Sequence, residues 1–216
     1  MKKTTLLLVA LVAGACALPA ASQDRKAPVS NAPVSNGEAM KELFNGFNPR
    51  GQAGLSRLVQ DDVQAFCSRA DWPKDKKGAQ ALEKQELAKV KYPSGSLMGD
   101  WQRGERIAQS GVGKQFSDNP STPSGGNCYA CHQLSGQELA YGTIGPSLRN
   151  FAKTRGTDEA AQRYAYSKIY NAKAYSACSN MPRFGQNEIL TEEQIKDLVA
   201  LLLDPGSPVN ASPVNK

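Results

Sequence analysis

Two cysteines and the only histidine of the chain stand together in Cys128-Tyr129-Ala130-Cys131-His132. Thiols separated by two residues can reach the two vinyl groups on one edge of a porphyrin, and the adjoining imidazole then falls beneath the iron as an axial ligand. The chemistry expected of these residues is one covalently bound haem c, attached through Cys128 and Cys131, with His132 on the iron. A structural zinc site would use Cys-x-x-Cys as half of a four-ligand set, and no second half at comparable spacing exists. A thioredoxin-like dithiol expects alternating strand and helix around the motif and does not require the histidine. Here Ser124-Gly125-Gly126 before the motif and Gln133-Leu134-Ser135-Gly136 after it read as loops.

With His132 alone, two-histidine ligation within the chain is impossible, so a sixth ligand must be Met, Cys, Lys, a partner's side chain, water or nothing. Beyond the leader the methionines are Met40, Met98 and Met181. Met181 lies 49 residues past His132 in Ser179-Asn180-Met181-Pro182-Arg183-Phe184-Gly185. A proline directly after it stiffens the loop, which helps hold a weak thioether ligand, and Met181 is the expected second axial ligand. A methionine that only fills core space is the bland alternative. Cys178 is the sharper rival, because a thiolate could ligate iron and lower its potential.

The elements that must place these groups begin after an export signal. Met1-Lys2-Lys3, an apolar run from Leu6 to Ala13 and small residues at Ala20-Ala21-Ser22 have the layout of a secretory signal peptide over residues 1–22. Ala13-Gly14-Ala15-Cys16 partly matches a lipoprotein processing site, with Ala where Leu is usual, so a lipid anchor at Cys16 is the alternative processing. The expected location is periplasmic, and nothing after residue 22 is apolar enough to span a membrane. Covalent haem attachment in bacteria is completed outside the cytoplasm, so the two signals agree. In that oxidising compartment the leftover Cys67 and Cys178 are most simply a disulfide, which would exclude Cys178 from the iron; two separate buried thiols are the alternative.

The chain carries 26 Lys and Arg against 20 Asp and Glu, a net charge of +6 that falls to +4 when Lys2 and Lys3 leave with the signal. So mild and dispersed an excess suits an acidic protein partner and argues against nucleic acid. Residues 23–37 contain a tandem Ala-Pro-Val-Ser-Asn repeat, and residues 206–216 repeat Ser-Pro-Val-Asn, so both read as flexible.

Between them the pattern is helical. In residues 38–98, Leu55, Leu58, Val59, Val63 and Phe66 recur at three- and four-residue steps, predicting one helix that ends beside Cys67. A second runs from about Ala79 to Lys91, where Tyr92-Pro93 stops it. This extension is too poor in apolar residues for a core of its own and is expected to pack on a haem domain spanning 99–205. Asp100 caps a helix through about Gln109, with Trp101, Gly104, Ile107 and Ala108 on one side. Gly104 there implies close approach by another helix. That partner is expected at Thr191-Glu192-Glu193-Gln194, a capping box with Leu190 and Ile195 as a hydrophobic staple and Ile195, Leu198, Val199 and Leu202 as its stripe. A third helix, Asp158 to Asn171, presents Ala161, Tyr164, Ala165, Lys168 and Ile169. No strand pattern competes, and the fold class expected is all-α.

The order helix, haem motif, Gly145-Pro146-Ser147-Leu148, middle helix, Met loop and final helix resembles class I cytochrome c over residues 100–204. That resemblance implies that the Pro146 carbonyl takes the second ring proton of His132, fixing its tautomer; an ordinary turn is the alternative. The blocks Tyr92-Pro93, Leu97-Met98-Gly99-Asp100-Trp101, Gly126-Asn127 with the pentapeptide, Gly145 to Leu148 and Asn180 to Gly185 resemble more specifically the SoxX family of bacterial sulfur oxidation. The resemblance implies an electron-accepting, non-catalytic subunit of SoxAX, an L-cysteine S-thiosulfotransferase. Its SoxA partner carries the catalytic cysteine, its carrier protein is SoxYZ, and a soluble cytochrome c takes the electrons onward. No catalytic residue is expected in this chain, which shows no Ser/His/Asp or paired-carboxylate constellation. A free periplasmic electron carrier, or a haem sensor with an open iron site, would fit the same chemistry.

Overall fold

The computed structural model describes residues 35–211, so the leader, most of the repeat-bearing linker and the last five residues lie outside it. Among the described residues every regular element is a helix. Seven are α-helical: α1 (Asn36–Gly46), α2 (Asp62–Cys67), α3 (Lys76–Ala88), α4 (Trp101–Gln109), α5 (Phe151–Arg155), α6 (Glu159–Tyr170) and α7 (Glu192–Leu203). This is the all-α class I cytochrome c architecture.

The core is organised by α4 crossing α7. A Cβ on Gly104 would lie 2.1 Å from the Asp197 carbonyl oxygen, so only glycine lets the two backbones meet there. The crossing is locked by a carboxylate: Asp197, 3% exposed within the apolar run of α7, accepts from Arg103 Nε and Nη2 at 2.9 and 2.8 Å and from the Asp100 N–H at 2.8 Å. A forked guanidinium on a buried carboxylate aligns both helices as well as neutralising the charge. Thr191 and Gln194 form the expected capping box at the start of α7, with Leu190 and Ile195 both buried beside it. Helix α6, capped by Asp158 on the Ala161 N–H, completes the core with Ala161, Ala165, Tyr166 and Ile169. Its buried face is rotated from the expected one, because Tyr166 and Ser167 are inside while Tyr164 and Lys168 are half-buried.

The segment before residue 99 departs from its sequence reading. The single helix expected over 55–66 is split into a 3-10 turn at Leu55–Leu58 and the short α2, and Val59 is left exposed between them. Asp61 restarts the helix by capping Gln64 while Gln64 caps Asp61 in return, a stronger local instruction than the apolar period. Helix α3 begins and ends about three residues earlier than expected, since the Asp75 side chain takes the Gly78 N–H. Phe66 packs over Gly78, where a Cβ would meet its ring at 2.8 Å. Helix α1, capped by Ser35 and Glu38, begins inside the stretch read as linker and buries none of its residues.

The C-terminal stretch from 206 also differs from the flexible tail expected. Val209 is 2% exposed within the core, and its carbonyl accepts from the Asn150 N–H at 2.8 Å. The Asn210 amide donates to the Leu202 and Asp204 carbonyls and accepts from the Ala152 N–H, so it satisfies the end of α7 and the start of α5 together. Residues 206–211 are therefore a packed cap; 212–216 lie outside the described residues.

Candidate haem site

The pentapeptide occupies a 3-10 turn, Cys128–Ala130, entered through Asn127 in the left-handed conformation. Within it the Cys131 and His132 N–H groups both donate to the Cys128 carbonyl, at 3.1 and 2.9 Å. Two further bonds fix the turn to the end of α4: Gly126 N–H to Ile107 O at 2.8 Å and Asn127 N–H to Ser110 O at 2.9 Å. Cys128 and Cys131 are both half-buried, Cys128 against the core cluster, and neither is part of a disulfide.

His132 Nδ1 stands 2.7 Å from the Pro146 carbonyl oxygen. A carbonyl can only accept, so Nδ1 carries the proton and the Nε2 lone pair is left for a metal. The loop that brings Pro146 there folds back tightly on the motif: Gly142 N–H donates to Tyr129 O, Gly145 N–H to Cys131 O and Leu148 N–H to Gln133 O. Gly145 lies flat on the imidazole, where a Cβ would come within 2.2 Å of His132 Cε1. Along this loop Leu139, Tyr141 and Ile144 stand exposed, Ile144 at 77%, giving apolar side chains with little protein to cover them.

Met181 is half-buried and packs against the same hydrophobic cluster as Cys128 and Tyr129. Its N–H donates to Ser179 Oγ at 3.1 Å. The chain then turns under Tyr170: the Phe184 N–H reaches the Ile169 carbonyl, and those of Gly185 and Gln186 share the Tyr170 carbonyl. A Cβ on Gly185 would sit 2.2 Å from the Tyr170 ring. Of the other methionines, Met98 packs on the core ahead of α4, and Met40 lies on α1, which buries nothing.

Cys67 and Cys178 are bonded as a disulfide across 111 residues, so Cys178 holds no free thiolate for iron. The Met loop has further ties that sequence reasoning missed. Ala177 N–H donates to Glu83 Oε1 at 3.1 Å, and Asn171 Nδ2 to Glu86 Oε2 at 2.8 Å. Arg183, with a side chain only 10% exposed, pairs with Asp61 and lies 3.7 Å from Glu86, whose own side chain is 1% exposed. Burial opposes the charge on Glu86, but hydrogen bonds from Asn171 and Lys89 and the nearby Arg183 outweigh it and hold the carboxyl below its ordinary range. Asp61 is lowered in the same way, burial being outweighed by the Gln64 N–H and Arg183. Lys173, whose ammonium donates to the Ser179 carbonyl, is pulled down by burial and then by the Arg183 cation. The readable sign of this network is Asp61-x-x-Gln64, a capping-box pattern that spans Val63; nothing local marks Glu86.

The donor chemistry fits a c-type haem: two cysteines on one turn, an imidazole whose proton is fixed on Nδ1, and a thioether packed against the same core cluster. Among the described residues no three His, Cys, Asp or Glu side chains converge to hold a metal ion. No helix among them is long and apolar enough to cross a membrane.

Comparison with known proteins agrees with this geometry. The cytochrome c family model matches residues 112–204. An uncharacterized lipoprotein of Aquifex aeolicus (strain VF5) is 35% identical over 216 aligned residues, covering 97% of this chain and all of that protein. The chain belongs to the family of that Aquifex protein, and its second half is a cytochrome c domain, the hallmark of an electron-transfer protein with covalently bound haem c.

Proposed function

We propose that the protein is the electron-accepting, monohaem cytochrome subunit of a SoxAX-type complex. The observation that supports iron ligation is the His132–Pro146 hydrogen bond, which leaves Nε2 free to face a metal. Bound haem supplies a reversible one-electron couple. The chain's own residues do the rest. Cys128 and Cys131 would carry the covalent links, His132 and Met181 the iron, and the Pro146 carbonyl holds the imidazole proton in place. In the partner reaction the thiol S–H of a carrier cysteine is exchanged for a sulfur–sulfur bond to thiosulfate. One proton goes to water and two electrons go, singly, to this cytochrome and then to a soluble cytochrome c. The catalytic cysteine belongs to the SoxA-like chain, so this chain serves the L-cysteine S-thiosulfotransferase without making a bond itself. The sequence blocks from Leu97 to Trp101 and from Asn180 to Gly185 support that finer reading.

Purification of the native protein tests it. A second cytochrome should co-purify at one-to-one stoichiometry, and the optical spectrum should show the weak thioether-to-iron band at the red edge of the visible. A stable lone monomer in extracts would instead favour a free carrier. Ready binding of carbon monoxide with no spectral change in Met181→Ala would favour an open-site sensor.

We place the protein in the periplasm, exported by residues 1–22. The name of the Aquifex relative supports the alternative processing at Cys16. Mass spectrometry of the mature N-terminus separates cleavage after Ser22 from a lipid-modified Cys16.

A further inference from the structure

We infer that Arg183 is a positioning residue for Met181, acting as the bolt by which the N-terminal extension holds the second iron ligand. The inference rests on the reading of Met181 as that ligand. Arg183 follows Met181 across Pro182, whose fixed φ removes one soft torsion from the backbone that joins the two residues. Upstream the loop is tied by the Cys67–Cys178 disulfide and downstream by Gly185 under Tyr170. Between those ties the side chain of Arg183 reaches two separate helices of the extension. One nitrogen pairs with Asp61, the N-cap of α2, and another approaches Glu86 in α3.

The electrostatics make this contact more than surface decoration. Glu86 is 1% exposed and receives Asn171, Lys89 and Arg183; Lys173 stands over the same loop with its ammonium on the Ser179 carbonyl. Removing the guanidinium leaves the buried Glu86 charge with less compensation, a state the loop relieves by moving. Lysine does not replace it fully, since it offers one nitrogen where the planar guanidinium presents separate nitrogens to Asp61 and Glu86. Among the described residues no hydrogen bond or ion pair joins these side chains to His132 or Met181, so their influence reaches Met181 through the loop.

The experiment is imidazole titration of the ferric holoprotein, comparing wild type with Arg183→Gln, Arg183→Lys, Glu86→Gln, the double glutamine variant and Met181→Ala. Imidazole binds only when the thioether is off, so its apparent affinity reports the population of that open state. Arg183→Gln is expected to tighten imidazole binding by about tenfold and to weaken the long-wavelength thioether band, with helical circular dichroism and the disulfide intact. Arg183→Lys should fall between it and wild type. Glu86→Gln should act in the same direction, and the double variant should fall well short of the product of the singles, because both remove one coupled contact. Wild-type imidazole affinity in Arg183→Gln and in Glu86→Gln, with the wild-type band present, would overturn the inference and leave the ligand reading standing. A wild type that lacks the band and binds imidazole as tightly as Met181→Ala overturns the ligand reading and the inference with it.

Discussion

The loop that carries His132 and the loop that carries Met181 are anchored over very different stretches of chain. On the His132 side the ties are local: Gly142 to Tyr129, Gly145 to Cys131, Leu148 to Gln133 and the imidazole to Pro146, the last pair 14 residues apart. On the Met181 side, bonds of similar span to Ile169 and Tyr170 are joined by remote ties: a disulfide spanning 111 residues, Glu83 and Glu86 reaching 94 and 85 residues forward, and Asp61 reaching 122. The local ties need only their own stretch of chain. The remote ones exist only once the extension has docked. On the proposed ligation, a strong imidazole ligand would be held by a local turn and a weak thioether by distant elements as well, a division that suits them, since the thioether has little affinity of its own to hold a loop.

This contrast can be broken most forcefully at the disulfide. Replacing Cys67 and Cys178 together by Ala should cost about 2–5 kcal/mol in urea denaturation. Hydrogen exchange should quicken over residues 172–187 while the amides of Cys131, His132 and Gly145 keep their protection. Equal quickening on both sides would erase the distinction.

Gly145→Ala attacks the opposite side. Its Cβ would collide with His132 Cε1, and overpacking of this kind costs about 1–3 kcal/mol. The expected signature is a disturbed axial histidine in the ferric spin-resonance spectrum with unchanged exchange over 172–187.

Thr191→Ala sharpens the comparison from neutral ground. It removes the reciprocal cap of α7, worth about 1 kcal/mol, from a helix of the core cluster against which Cys128 and Met181 both pack. A thermal melt should fall by a few degrees, and exchange should quicken alike at both loops.

The smallest effect is confined to acid. Asp61 and Glu86 have folded values below the ordinary 3.8 and 4.5, so their contribution is fully present above those values and lost as pH falls through the lower folded ones. As pH falls below those ordinary values the residues 172–187 should loosen first, as followed by exchange or limited proteolysis. Simultaneous loosening of the His132 loop would count against separate anchoring.

Where a pattern was contained in a few neighbouring residues, the sequence could be read closely. The capping box at Thr191, the cap at Asp100 and the close approach implied by Gly104 all stand in the structure as expected. The structure departs from the local pattern where two local signals compete or where the decisive partner is distant. Over 55–66 the apolar period predicts one helix, but Asp61-x-x-Gln64 marks a fresh helix start. Residues 206–211 looked like a polar tail because nothing in Ser-Pro-Val-Asn shows that Val209 finds a place in the core or that Asn210 closes two helix ends. Asp197, in the middle of an apolar stripe, would read as a misplaced charge until Arg103 is seen beside it.

What the sequence by itself determined is the chemistry and its local frame. Thiols and imidazole at fixed spacing and helix caps act within a turn or two, so the order of neighbouring residues suffices to specify them. What only the tertiary structure decided is how the Met181 loop is held. Arg183, Glu86, Asp61 and the Cys67–Cys178 bond lie far apart in the chain, and each buried charge is tolerable only beside partners that docking of the extension brings to it.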